Sequence, residues 1–91
     1  MTYRIEFRPA ALRDLRKLDQ SIRHKLMADI EKLASNPRPR GSKKLEAQEN
    51  LYRVPAGPGK SYRVIYQIQD AILLVLVVKV GDRKDVYRRV T

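Results

Sequence analysis

Residues 72–80 are apolar at every position except Lys79. A strand with one wet face would alternate apolar and polar side chains, so this run reads as a strand covered on both faces, at the centre of a sheet. It is too short for a membrane: the longest uninterrupted apolar run, residues 71–78, is eight residues, against the ~20 that a spanning helix needs. A central strand requires neighbours. Residues 62–68, Tyr-Arg-Val-Ile-Tyr-Gln-Ile, are rich in aromatic and β-branched side chains and read as the preceding strand. Gln69-Asp70 makes the tight turn between them, and residues 51–54 form a shorter strand before that. The turns make this half an antiparallel meander, with Gly81 as its expected end.

The N-terminal half carries a different period. Tyr3-Arg4-Ile5-Glu6-Phe7 alternates as a half-buried strand does. Pro9 suits the first turn of a helix, where its missing N–H matters least. Ala10, Ala11, Leu12, Leu15 and Leu18 then recur at helical spacing, with Arg13, Asp14, Arg16 and Lys17 on the other face. Asp19 is the expected N-cap of a second helix, in which Ile22, Leu26, Ile30 and Leu33 form one apolar stripe. Asn36-Pro37 stops it. The short break at Asp19 predicts an antiparallel helix hairpin whose stripe is buried on the sheet. Residues 37–50 read as loop. The expected architecture is α+β, in the order β-α-α-β-β-β, as one domain over residues 1–91.

At 91 residues the core is small, with no room for a deep cofactor cavity. The net charge of +10 points to a polyanionic partner, whether nucleic acid, an anionic membrane or an acidic protein; the bland alternative is a well-solvated basic surface. The absence of cysteine excludes a disulfide scaffold, a thiolate zinc site and a cysteine nucleophile. His24, the single histidine, lies off the apolar stripe and reads as solvated, so no metal and no cofactor are expected. Met1 to Phe7 lacks the apolar run of a signal peptide, which predicts a cytoplasmic chain without a membrane role. Gly57-Pro58-Gly59-Lys60-Ser61 looks like the end of a phosphate-binding P-loop. Val54 stands where that motif needs its first glycine, however, and a strand rather than a helix follows, so the segment reads as a hairpin turn.

The residues suited to chemistry are arginines. Arg53 and Arg63 lie on consecutive strands of the meander, and Arg83 and Tyr87 follow the next one. Alternation sends Arg63 to the face opposite Tyr62 and Val64. Guanidinium groups gathered on one face repel unless an anion sits between them, and phosphate accepts paired N–H bonds from each. The alternative is a scatter of surface arginines. Arg13 and Lys17 on the first helix and Lys43 and Lys44 in the long loop are further cations, for an RNA backbone or for water.

Taken together, Tyr52-Arg53-Val54, Tyr62-Arg63-Val64-Ile65-Tyr66 and Val80-Gly81-Asp82-Arg83-Lys84-Asp85-Val86-Tyr87 resemble the RelE/ParE toxin superfamily. The Pro-Ala-Ala-Leu-Arg-Asp-Leu-Arg-Lys-Leu run from Pro9, Asn36-Pro37-Arg38 and Gly41-Ser42-Lys43-Lys44-Leu45 extend the likeness over nearly the whole chain. The resemblance implies a toxin of a type II toxin–antitoxin pair, held inactive by a RelB-like antitoxin. In the RelE branch such proteins enter the ribosomal A site and cut mRNA there. In the ParE branch they inhibit DNA gyrase without a nuclease site.

Arg63, Arg83 and Tyr87 match the RelE-like pattern, which favours a ribosome-dependent endoribonuclease with ribosome and mRNA as partners; ParE-like gyrase inhibition is the alternative. The chemistry implied is metal-independent: the 2′-OH attacks its own phosphate, leaving a 2′,3′-cyclic phosphate. Arg63 and Arg83 would steady the developing charge, and Tyr87 would stack on the nucleotide or exchange a proton. Arg53, Lys43, Lys44, Arg13 and Lys17 would bind RNA. Pro55 departs from the pattern, since relatives often carry a basic residue there, and so does Asp82, where they often carry histidine. Lys60, Tyr87 and Asp82 are the candidates for accepting the proton of the 2′-OH, with Lys60 the substitute from the turn.

Overall fold

A computed structural model of the protein describes residues 2–46, 48–84 and 86. Its elements are β1 (Arg4–Phe7), α1 (Pro9–Arg16), α2 (Gln20–Glu31), β2 (Lys43–Lys44), β3 (Leu51–Ala56), β4 (Tyr62–Gln69) and β5 (Leu74–Asp82). The five strands form one sheet in the order β1-β5-β4-β3-β2. Neighbours from β2 through β5 are antiparallel, and β1 lies parallel to β5. The expected α+β class and meander hold, and the apolar run is an interior strand flanked by β4 and β1.

Both faces of that strand are apolar, for different reasons. The helices cover one face, where Ala11, Leu15, Leu26, Ile30 and Leu33 pack on Val64, Tyr66, Ile68, Val75, Val77 and Val80. On the other face Leu51, Ile65 and Val86 form a smaller cluster with Leu45 and Val78. A bulge in β5 sets this division. Ile65 pairs with Lys79 and Tyr66 with Val77, so β5 carries one extra residue and its alternation shifts. Val75, Val77 and Val80 can then all face the helices.

Several boundaries differ from the sequence reading. Ile72 is 53% exposed and belongs to a 3₁₀ turn, Asp70–Ile72, after which Leu73 takes a left-handed conformation; β5 begins only at Leu74. Gly81 does not end it, because Tyr62 still pairs with Asp82. The stretch read as loop contains β2, whose Lys43 and Lys44 pair with Arg53 and Tyr52. A two-residue strand has no period of its own to read. Leu12 is exposed, since the buried stripe of α1 runs through Ala11 and Leu15. Asp19 does sit at the N-cap of α2, yet its carboxylate accepts the Ser21 hydroxyl at 2.8 Å rather than a backbone N–H. No helix among the described residues is long and apolar enough to cross a membrane.

Candidate functional site

The helix-facing set on β3 and β4 is Tyr52, Val54, Ala56, Tyr62, Val64, Tyr66 and Ile68. Alternation therefore turns Arg53 and Arg63 to the open face. Arg53 pairs with Ile65 and Arg63 with Pro55, which makes the two arginines diagonal neighbours, roughly 7 Å apart at Cβ. Lys43 stands directly across from Arg53 and shares its face, whereas Lys44 pairs with Tyr52 and belongs to the other. Sequence placed the two lysines together; the register of β2 separates them.

The turn between β3 and β4 holds this end of the face. Arg63 Nη1 donates to the Lys60 carbonyl at 2.8 Å and to the Tyr62 carbonyl at 3.0 Å. The Ser61 carbonyl accepts the Arg83 N–H at 3.0 Å. One short turn thus aims a guanidinium with its backbone and tethers the residue that follows β5. The turn is itself anchored to α2, where Asp29 Oδ2 accepts the Gly57 N–H at 2.9 Å. Burial opposes the Asp29 charge, but the Gly57 N–H, Lys25 and Lys32 outweigh it and hold the pKa below the usual carboxylate value. Gly57 has φ +79°, and a Cβ there would lie 3.1 Å from the Tyr62 ring and 3.3 Å from Leu26. Only glycine satisfies both demands.

The remaining expected site residues are distributed unevenly. Lys60 is exposed on the turn, where it lines a cleft of about 500 Å³ shared with Lys25, Arg40 and Val54. Asp82 Oδ1 accepts the Lys84 N–H at 2.8 Å, closing the turn that carries Arg83. Lys17 lines a smaller cleft of about 170 Å³ with Gly81 and Val86, on the same end of β5. Arg13 is exposed one turn back along α1 and is not joined to the arginine set. Tyr87 lies outside the described residues. His24 is exposed, and among the described residues no group of three His, Cys, Asp or Glu is placed to hold a metal.

A second polar cluster, which the sequence did not signal, sits at the far end of the sheet. Arg38 holds Asp70 through two nitrogens at 2.8 and 3.2 Å, bonds the Tyr52 hydroxyl at 3.2 Å and lies over the Tyr52 ring. Tyr3 donates to Asp70 at 2.6 Å. Arg38 first and Tyr3 second hold the Asp70 pKa down at about 2. Its residues come from the segment just before β1, from β3 and from the loops after α2 and β4, so no spacing in the chain could have joined them.

The comparisons with known proteins bear on this frame. The family profile described as the ParE toxin of the type II toxin–antitoxin system parDE matches residues 5–87. The chain belongs to the RelE/ParE family of type II toxins. It is 34% identical over 89 residues to a RelE-like toxin protein of Escherichia coli, covering 96% of this chain and 92% of that one. It is 30% identical, with the same coverage, to the mRNA interferase toxin RelE of Escherichia coli K12. The toxin–antitoxin complex RelBE2 of Mycobacterium tuberculosis contains a chain that superposes with a TM-score of 0.74 at 28% identity, covering 91% of this chain and 100% of that one. In this RelE/ParE member the arginine face lies on the sheet side that the helices leave open.

Proposed function

We propose that this toxin is an mRNA endoribonuclease of the RelE type, acting on ribosome-bound message and restrained by a RelB-like antitoxin. The observation that supports the reading is the fixed Arg63 guanidinium, held by two carbonyls on the open face beside Arg53 and the tethered Arg83. Preorganised donors of this kind stabilise charge that develops only in the transition state.

In the proposed reaction the 2′-oxygen forms a bond to its adjacent phosphorus and the bond from phosphorus to the 5′-oxygen breaks. The products are a 2′,3′-cyclic phosphate and a 5′-hydroxyl. Arg63 and Arg83 bind the phosphoryl oxygens, which they do without a metal, while Arg53 and Lys43 hold the strand. The 2′-OH proton goes to a side-chain acceptor, and the departing oxygen gains a proton. Arginine stays charged in proteins and cannot be that acceptor. Lys60, Asp82 and Tyr87 are the candidates. Pro55 faces Arg63 across the strands and leaves that position without a basic group.

The interferase name of the RelE relative supports cleavage, and the RelBE complex supports an antitoxin partner. The match to the ParE profile favours a second reading, gyrase inhibition without RNA cleavage. A translation extract separates the two. Cuts within codons on ribosome-bound mRNA, bearing cyclic phosphate ends, are the expected result. Gyrase inhibition with intact mRNA would overturn it.

A further inference from the structure

Of the cleft of about 500 Å³ between α2 and the β3–β4 turn, the proposed reaction uses only Lys60. Its walls are the second half of α2 with the 3₁₀ turn Lys32–Ala34 after it, the loop at Pro39 and Arg40, and the turn that carries Lys60. Leu33, Pro39, Val54 and Pro55 give it an aliphatic floor.

Charge and backbone both restrict what can fill this space. Lys25, Lys32, Arg40 and Lys60 border it, against one carboxylate, Asp29, among the described residues. Lys25 and Lys32 lie 3.3 and 3.5 Å from that carboxylate. Among the described residues no acid pairs with Arg40 or Lys60. A complementary occupant therefore carries negative charge. Alternate residues of β3 turn their backbone groups to the β2 side: Leu51, whose carbonyl accepts the Leu45 N–H at 2.7 Å, then Arg53, Pro55 and, just past the strand, Gly57. Pro55 has no N–H, and the Gly57 N–H is bonded to Asp29 at 2.9 Å. The edge beyond β2 thus offers no donor to an added strand, and an occupant must enter by its side chains.

We propose that this cleft seats an acidic segment of the antitoxin, with one aliphatic side chain on the floor and flanking carboxylates on Arg40 and Lys60. The proposal rests on the antitoxin reading for its occupant. Single-stranded RNA is the other polyanion to consider, but it binds through aromatic platforms as well as cations. No described aromatic side chain lines this cleft. A segment seated here grips the turn whose carbonyls hold Arg63 and Arg83, so it acts on the arginines without covering the open face.

The test follows the backbone amides of the toxin by NMR with four probes. These are the capped peptide Glu-Glu-Leu-Glu-Glu, the same peptide with glycine for leucine, the same peptide with lysine for every glutamate, and a 2′-O-methylated RNA of equal length. The leucine peptide is expected to shift the Lys32, Gly57 and Gly59 amides. The glycine peptide should bind about tenfold more weakly, the scale of one buried leucine, and the lysine peptide should not bind. Lys32→Glu combined with Arg40→Glu, both exposed positions, should weaken the leucine peptide about tenfold, with a melting temperature near wild type. RNA that shifts the same amides as strongly as the peptide, or peptide binding unchanged by the double substitution, would overturn the proposal. Lysine acetylation of the toxin alone and in its antitoxin complex is read in parallel by mass spectrometry. Lys32 and Lys60 are expected to react at least fivefold more slowly in the complex. A complex in which both react at the free rate removes the cleft as the seat and keeps the antitoxin reading. Cleft binding of the peptide by a toxin that no RelB-like protein binds removes the antitoxin reading, and with it the proposed occupant.

Discussion

Asp14 on α1 accepts the Lys79 ammonium at 3.0 Å and the Val80 N–H at 3.1 Å, so one carboxylate serves both a side chain and the backbone of β5. Pairing with β1 stops at Val77, and Asp14 satisfies the edge beyond it. Both charged side chains are about nine-tenths buried, at 10% and 11% exposure. The pair fixes α1 to the part of the sheet that leads into Arg83.

Removing one member leaves the other charge buried. Asp14→Ala is expected to cost about 3–5 kcal/mol, a large share of the roughly 5–15 kcal/mol typical of a domain. Asp14→Leu combined with Lys79→Met should be less destabilised than either single change. Urea unfolding of the four proteins checks this, and equal, additive losses would refute the coupling.

Arg63→Ala should lower cleavage of ribosome-bound mRNA by about 10²–10³. Arg63→Lys should recover little, because an ammonium cannot reproduce the fork that grips two carbonyls and a phosphate together. Thermal melts should stay near wild type for both. Single-turnover rates that match wild type would remove Arg63 from the site.

Gly57→Ala tests the turn that aims Arg63. Its positive φ and the close approach to Tyr62 and Leu26 predict a loss of about 1–3 kcal/mol. Cleavage should fall further than the unfolded fraction explains, since the Lys60 and Ser61 carbonyls move with the turn. A variant with lowered stability and an unchanged rate per folded molecule would separate the turn from the chemistry.

Lys60 is distinguished as base or as phosphate contact by its substitutions. A base role predicts that Lys60→Ala and Lys60→Arg both lose rate and change the pH–rate profile. A contact role predicts that arginine restores most of the activity at every pH, and that outcome would exclude lysine as the acceptor. Asp82 and Tyr87 would then remain.

The Arg38–Asp70–Tyr3 cluster predicts an acid-sensitive contribution to stability. The folded Asp70 pKa, about 2, lies below its ordinary value of 3.8. The stabilisation is therefore complete above about pH 4 and is lost as pH falls through 2. Asp70→Asn should lower Tm at pH 5–7 and converge with wild type near pH 2. A constant difference in Tm across that range would show that the charge is not the cause.

Three features were legible in the chain because they depend on local periodicity. Residues 72–80 announced an interior strand, the Ile22–Leu26–Ile30–Leu33 spacing announced a buried helix face, and Pro9 and Asp19 marked where the helices start. The alternation of β4 also sent Arg63 to the correct face. Tertiary structure alone decided the parallel pairing of β1 with β5, because a single alternating strand carries no record of its partner. It decided the bulge in β5, which lets Val77 and Val80 share a face while Lys79 reaches Asp14 sixty-five residues away. It also split Lys43 from Lys44 and hung Arg63 and Arg83 on the carbonyls of one turn. Those outcomes depend on register and on hydrogen bonds between distant backbone groups, and any residue type can supply a carbonyl or an N–H.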